Sequence, residues 1–139
     1  MKVAEPLLLD TCAVIYLSLA ERLKPDTVLA INNAAKSNSL FVSPITAWEI
    51  VKSKKRDKVA LTDDPFTFFN EFIETSNSSL CELNAEIMIK SWLLPGQFHK
   101  DPMDRIIVAT ARQFDLTLVT SDRAILAYGQ QGHVKTLAC

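Results

Sequence analysis

The chain has few cysteines, almost no net charge and no long apolar run, and each shortage removes a class of function. Its three cysteines, Cys12, Cys81 and Cys139, form no Cys-x-x-Cys pair. An odd, scattered set argues against a disulfide framework and against zinc, and points to reduced thiols in a cytoplasm. A formal net charge of −1 supplies no overall basic field, so a nucleic-acid partner would have to be held by a local patch. No apolar stretch approaches the roughly 18 residues of a membrane span, and the N-terminus reads as the start of a strand rather than a cleavable leader. A soluble cytoplasmic protein with no membrane partner is expected. Internal repeats and low-complexity tracts are also missing.

What is present suits a single domain, residues 1–139: an apolar fraction of 48% over 139 residues is enough for one sizeable core. Leu7-Leu8-Leu9, Leu40-Phe41-Val42, Leu80 to Leu83, Leu116 to Thr120 and an edge segment Val134 to Leu137 predict strands. Short unbroken apolar runs such as the first belong to strands buried on both faces of a parallel sheet. Between them, helices are expected from Ala13 to Arg22 with Thr11 as cap, Asp26 to Lys36, Ala85 to Leu94 with Asn84 as cap, and Ala124 to Tyr128. Ser43-Pro44 opens another helix, with Ile45, Trp48 and Val51 on one face, and Thr62-Asp63-Asp64-Pro65 precedes a helix holding Phe66, Phe69, Phe72 and Ile73. The alternation makes the fold class α/β, with ligands expected beyond the carboxyl ends of the strands.

The segment Asp101 to Phe114 carries the clearest helix signal: Met103, Ile106, Ile107, Thr110, Ala111 and Phe114 form a core-facing stripe, with Pro102 at the first position. Asp104 falls at the edge of that stripe, while Asp101 and Arg105 point further away. Taken alone, Asp101 and Asp104 amount to a helix cap and its answering acid. Asp10 and Asp122, however, directly follow strands, and the helices carrying Glu49 and Asp104 begin on the same edge of the sheet. Converging carboxylates repel by roughly 4 kcal/mol per pair at 4 Å and an effective dielectric near 20, which calls for a cation or raised pKa values. Oxygen ligands select Mg²⁺ or Mn²⁺, which suit phosphodiester hydrolysis. His99 and His133 are weighed as further ligands and read as solvent-facing loop residues.

These blocks, Leu-Leu-Leu-Asp10-Thr-Cys, Ser43-Pro-Ile-Thr-Ala-Trp-Glu49-Ile, His99-Lys-Asp-Pro-Met-Asp104-Arg-Ile-Ile-Val-Ala-Thr-Ala and Leu118-Val-Thr-Ser-Asp122, resemble those of PIN-domain ribonucleases, specifically VapC-type toxins of toxin-antitoxin pairs. The resemblance implies a three-layer α/β domain with a roughly five-stranded parallel sheet, a Mg²⁺- or Mn²⁺-dependent endoribonuclease centre, a homodimer, and inhibition by a VapB-like antitoxin. It assigns the acidic quartet to Asp10, Glu49, Asp104 and Asp122, with Thr11, Asp101 and Thr120 in support. Cys12 stands where the family often has histidine, and Met103 where it often has phenylalanine.

Two neighbouring features fit an RNA substrate and a protein partner. Lys52, Lys54, Lys55, Arg56 and Lys58 follow the Glu49 helix and could hold flanking phosphates, although such a run is also how a solvated helix end looks. Phe66, Phe68, Phe69 and Phe72 exceed what one helix face can bury, so one of them, Phe68, is expected to be exposed. The competing function is a non-catalytic PIN-like module that binds RNA or protein. A phosphatase with Asp10 as nucleophile is disfavoured because Cys12 occupies the place of its second aspartate.

Overall fold

A computed structural model describes residues 4–19, 23–55 and 64–139, without the side chains of Lys54 and Lys55. Strand β1 (Leu7–Leu9) lies at the centre of a five-stranded, wholly parallel sheet. On one side come β2 (Leu40–Val42) and β3 (Ser79–Leu80), and on the other β4 (Thr117–Thr120) and β5 (Thr136–Ala138). The order β3-β2-β1-β4-β5 reverses direction between β1 and β4. A parallel sheet opens a crevice at such a reversal, beyond the carboxyl ends of its strands.

β1 can be all leucine because both of its faces are covered. Leu7 and Leu9 pack into one core with Ala13, Val14, Ile31, Ala34, Ile50, Phe69 and Phe72. These come from helices α1 (Thr11–Ser18), α2 (Pro25–Lys36), α3 (Pro44–Lys55) and α4 (Pro65–Ser76). Leu8, pointing the other way, joins Ile107, Val108, Ala111, Leu118, Ile125 and Tyr128. That second core is supplied by α6 (Pro102–Gln113) and α7 (Arg123–Gln130), with α5 (Ala85–Trp92) outside α6. The expected layering is therefore present.

The chain enters and leaves the sheet by two repeated devices. Leaving a strand, it meets a side-chain cap: Asp10 for α1, Ser43 for α3, Asn84 for α5 and Asp122 for α7 each accept from an N–H of the first turn. Returning, α2, α4 and α6 each close on a left-handed residue, Asn38, Asn77 or Asp115, all with φ near +55°. The next amide bonds back into the helix: Ser39 to Ala34, Ser78 to Ile73 and Leu116 to Ala111. In a chain with three glycines, asparagine and aspartate take the conformation that glycine usually fills.

Several sequence expectations shift. Asp10 rather than Thr11 caps α1, and α1 ends at Ser18; residues 20–22 lie outside the described residues. β3 sits at 79–80, slightly ahead of its expected 80–83. Trp48 and Val51 are exposed, and α3 buries Thr46 and Ile50 instead. α6 buries six consecutive residues, Ile106 to Ala111, because the sheet covers one side while α5 packs on Ile106 and Ala109. Phe114, the last of its stripe, is instead a half-exposed C-cap. In α4, Phe69 and Phe72 are core and Phe68 packs against it; Phe66, 83% exposed, is the one left in water.

Candidate metal and catalytic centre

At the reversal between β1 and β4, Asp10 is 6% exposed. Its Oδ1 accepts from the Thr11 N–H at 2.8 Å and its Oδ2 from the Thr120 hydroxyl at 2.7 Å. The Thr120 hydroxyl in turn accepts from the Asp122 N–H at 3.0 Å, which ties the exits of the two strands together. Burial first, and then the charge of Asp122, push the Asp10 carboxyl above its ordinary value, although hydrogen bonds from Thr120 and Thr11 oppose this.

Glu49 faces the same rim from the second turn of α3. The Thr11 hydroxyl donates to its Oε1 at 2.8 Å and lies 3.2 Å from the Thr46 hydroxyl. Burial raises Glu49, as do Asp10 and Asp101, while Thr11 and Lys52 lower it. Lys52, one turn beyond Trp48 and 5.4 Å from its ring centre, is the cation of the basic run that, among the described residues, acts on Glu49. The side chains of Lys54 and Lys55, together with Arg56 and Lys58, lie outside the described residues.

Asp104, in the first turn of α6, is raised as well. Burial, then Asp101, Asp122, Asp10 and Glu49 in that order, push it up to about 8. The other three acids of the sequence reading therefore act on this carboxyl together with Asp101, although the quartet does not form one tight set. Asp10 and Glu49 are joined through Thr11. The closer group is His99, Asp104 and Asp122, with one donor atom from each within 4.8 Å of the others. His99 Nε2 meets Asp104 Oδ2 at 3.0 Å. Asp122 also accepts from the Ile125 N–H, and Asp101 caps α6 by accepting from the Met103 N–H at 2.9 Å.

The sequence reading weighed His99 as a ligand but left it to solvent, and it turned Arg105 away from the site; the structure sets His99, though exposed, beside Asp104 and Asp122. Arg105 does not point away: its guanidinium donates to the carbonyls of Ser91 (2.8 Å), Phe98 (3.0 Å) and His99 (3.1 Å). It thereby fixes the loop that delivers His99. The only signal in the sequence was a histidine just ahead of a capped, acid-bearing helix start. Cys12 is a further neighbour, its thiol donating to Asp10 Oδ2 at 3.6 Å and accepting from the Ser121 N–H at 3.4 Å. A hydrogen bond with Cys139 brings it down to about 7 against the opposing effect of burial.

The donor chemistry fits a divalent cation. Three carboxyls held above their normal pKa by burial and by neighbouring acids are what a cation would relieve, and carboxylate oxygens suit Mg²⁺ or Mn²⁺.

The sequence profile of the PIN domain matches residues 7–130. No curated protein matches. Among solved structures, the chain is similar to one described as VapBC2 from Rickettsia felis bound to a DNA fragment from their promoter. The TM-score is 0.63 at 18% identity, over 95% of this chain and 97% of that one. It is also similar to FitAcB from Neisseria gonorrhoeae, with a TM-score of 0.55 at 20% identity, over 94% of this chain and 96% of that one.

Proposed function

Because the chain belongs to the PIN domain family, whose members are generally nucleases, we propose that it is a Mg²⁺- or Mn²⁺-dependent endoribonuclease and the toxin of a toxin-antitoxin pair. The observation that carries this is Asp104, a carboxyl raised to about 8 by burial and four other acids at the sheet's reversal point. A fold has no structural use for that repulsion, whereas a centre that loads a cation does. The similarity to VapBC2 supports a VapB-like antitoxin as partner, and the homodimer and cytoplasmic site of action belong to this reading through the family resemblance alone.

A divalent cation, when bound, supplies Lewis acidity toward the phosphoryl oxygens and toward the attacking water. The chain's own residues set the geometry. Asp10 is locked by Thr11 and Thr120, and Glu49 by Thr11, so two carboxylates are fixed by one threonine across α1 and α3. Lys52 and the exposed Trp48 offer a charge and a stacking face next to Glu49, suited to a nucleotide flanking the cut. Incubating the protein with structured RNA in EDTA and in millimolar Mg²⁺ or Mn²⁺ tests this. Cleavage that needs metal is expected, and metal-independent binding without cleavage would favour a non-catalytic module.

A further inference from the structure

Resting on that reading, we propose that His99 is a ligand of the centre and makes it select Mn²⁺ over Mg²⁺. Its Nε2 lies in one group with the carboxylates of Asp104 and Asp122, donor atoms within 4.8 Å of one another, and 3.0 Å from Asp104 Oδ2. The imidazole is exposed, with 38% of its side chain accessible, yet the loop that carries it is fixed from several sides. Arg105 binds its carbonyl and that of Phe98, and also the carbonyl of Ser91 at the end of α5. The Phe98 ring packs edge-on against the imidazole with centres 4.4 Å apart, and rests on Tyr128, 4.8 Å away. The Tyr128 hydroxyl donates to the Pro95 carbonyl on the same loop. The loop is therefore secured to α5, α6 and α7, and the imidazole is placed before any cation arrives. His133, whose ring centre lies 4.7 Å from that of Tyr128, is outside the group and makes an internal comparison.

The chemistry gives the selectivity. Mg²⁺ takes oxygen donors and resists dehydration, whereas imidazole nitrogen suits first-row transition ions. A centre with carboxylates alone would treat Mg²⁺ and Mn²⁺ nearly alike, and one nitrogen separates them. His99→Gln keeps a hydrogen-bonding side chain facing Asp104 and removes the imidazole.

Two measurements on the purified chain test the assignment. Pulsed electron paramagnetic resonance of the Mn²⁺-loaded wild type should show nitrogen coupling from one imidazole, present in His133→Gln and absent in His99→Gln. Calorimetric titration should show Mn²⁺ affinity falling at least about tenfold in His99→Gln, the scale on which even outer partners of a metal site act, with Mg²⁺ affinity changed far less. Wild type that binds Mn²⁺ without nitrogen coupling, or a variant with an unaltered Mn²⁺ to Mg²⁺ ratio, overturns the role of His99 and leaves the nuclease reading intact. A wild-type chain that binds neither ion and cuts no RNA overturns both. Because the coupling is read on wild type, the test survives a variant that folds poorly.

Discussion

At its C-terminal end α6 closes on Asp115, whose carboxylate meets Lys135 Nζ at 2.9 Å on the open surface. At its N-terminal end, three turns away, Asp104 meets an imidazole and the fields of four other acids, largely out of water. The helix dipole favours negative charge at the second place and opposes it at the first. The carboxyl in the favourable place is nevertheless the one driven up to about 8. Position on the helix is thus overruled by the company each acid keeps. One end of the helix is arranged for stability, and the other departs from it in the way functional sites do.

The comparison breaks most sharply under Asp104→Asn. The change removes a charge and keeps the shape, so RNA cleavage should fall at least about a hundredfold, as when a charge-stabilising group is lost from an active site. In EDTA the variant should nonetheless melt higher. It forfeits roughly 0.3 to 1 kcal/mol of dipole stabilisation but sheds repulsion on the order of one to a few kcal/mol. Wild type alone should recover strongly on adding metal, by ligand linkage. A variant that melts lower in EDTA and still cuts RNA would remove Asp104 from the centre.

A pH series probes the same end without mutation. Folded Asp104 is pushed up to about 8 from an ordinary value of 3.8, so between those values the native state holds more protons than the unfolded chain. Stability must then fall as pH rises through this window, being fully present below about 4 and lost above about 8. Asp10 and Glu49, raised for the same first reason, act in the same direction. The urea midpoint in EDTA should therefore decline from about pH 5 to about pH 8, and the decline should flatten in Asp104→Asn and in millimolar Mn²⁺. A midpoint that climbs over this range would mean the acids are not raised.

How much of this was legible follows from the kind of signal each residue gave. Leu7 to Leu9 announced a two-sided strand because burial on both faces leaves no polar alternation to confuse with a helix. Asp10 and Asp122 were placed on one edge by chain direction alone, since in a parallel sheet every strand ends on the same side. Trp48 misled because spacing finds a stripe but not which stripe the sheet covers, and Thr46 with Ile50 was the buried one. His99 was undervalued because its placement depends on Arg105 reaching three backbone carbonyls, contacts that no periodicity reports.

A smaller effect is expected where α3 leaves the rim. Lys52 is the one described cation that lowers Glu49, and it sits over Trp48. If it also holds a phosphate, Lys52→Ala should weaken RNA binding and reduce the slope of log K against log salt by about 0.7, one contact's worth on a single strand. Lys54→Ala, Lys55→Ala and Arg56→Ala, combined, should lower it by about 0.7 for each phosphate released. An unchanged slope in both proteins would mark the run as solvated surface.

The smallest effect belongs to the quiet end of α6, where the substitution that transforms the other end should do almost nothing. Asp115→Asn removes the charge that faces Lys135, but the pair lies in water, and exposed pairs contribute little. Asparagine also tolerates the left-handed conformation that Asp115 adopts at φ 54°, as Asn38 and Asn77 already do at the ends of α2 and α4. The melting temperature should move by no more than about 2 °C, with cleavage and metal response unchanged. Asp115→Val keeps the loss of charge and adds a branched side chain where φ is positive, which should cost roughly 1 to 2 kcal/mol. It would loosen the closure in which the Leu116 N–H bonds the Ala111 carbonyl at 2.8 Å just before β4. The pair separates the two roles of this residue: backbone conformation carries its contribution and charge does not, the reverse of Asp104. If Asp115→Asn proved as costly as Asp115→Val, the ion pair with Lys135 would matter more than the turn, and the contrast between the two ends of the helix would fail.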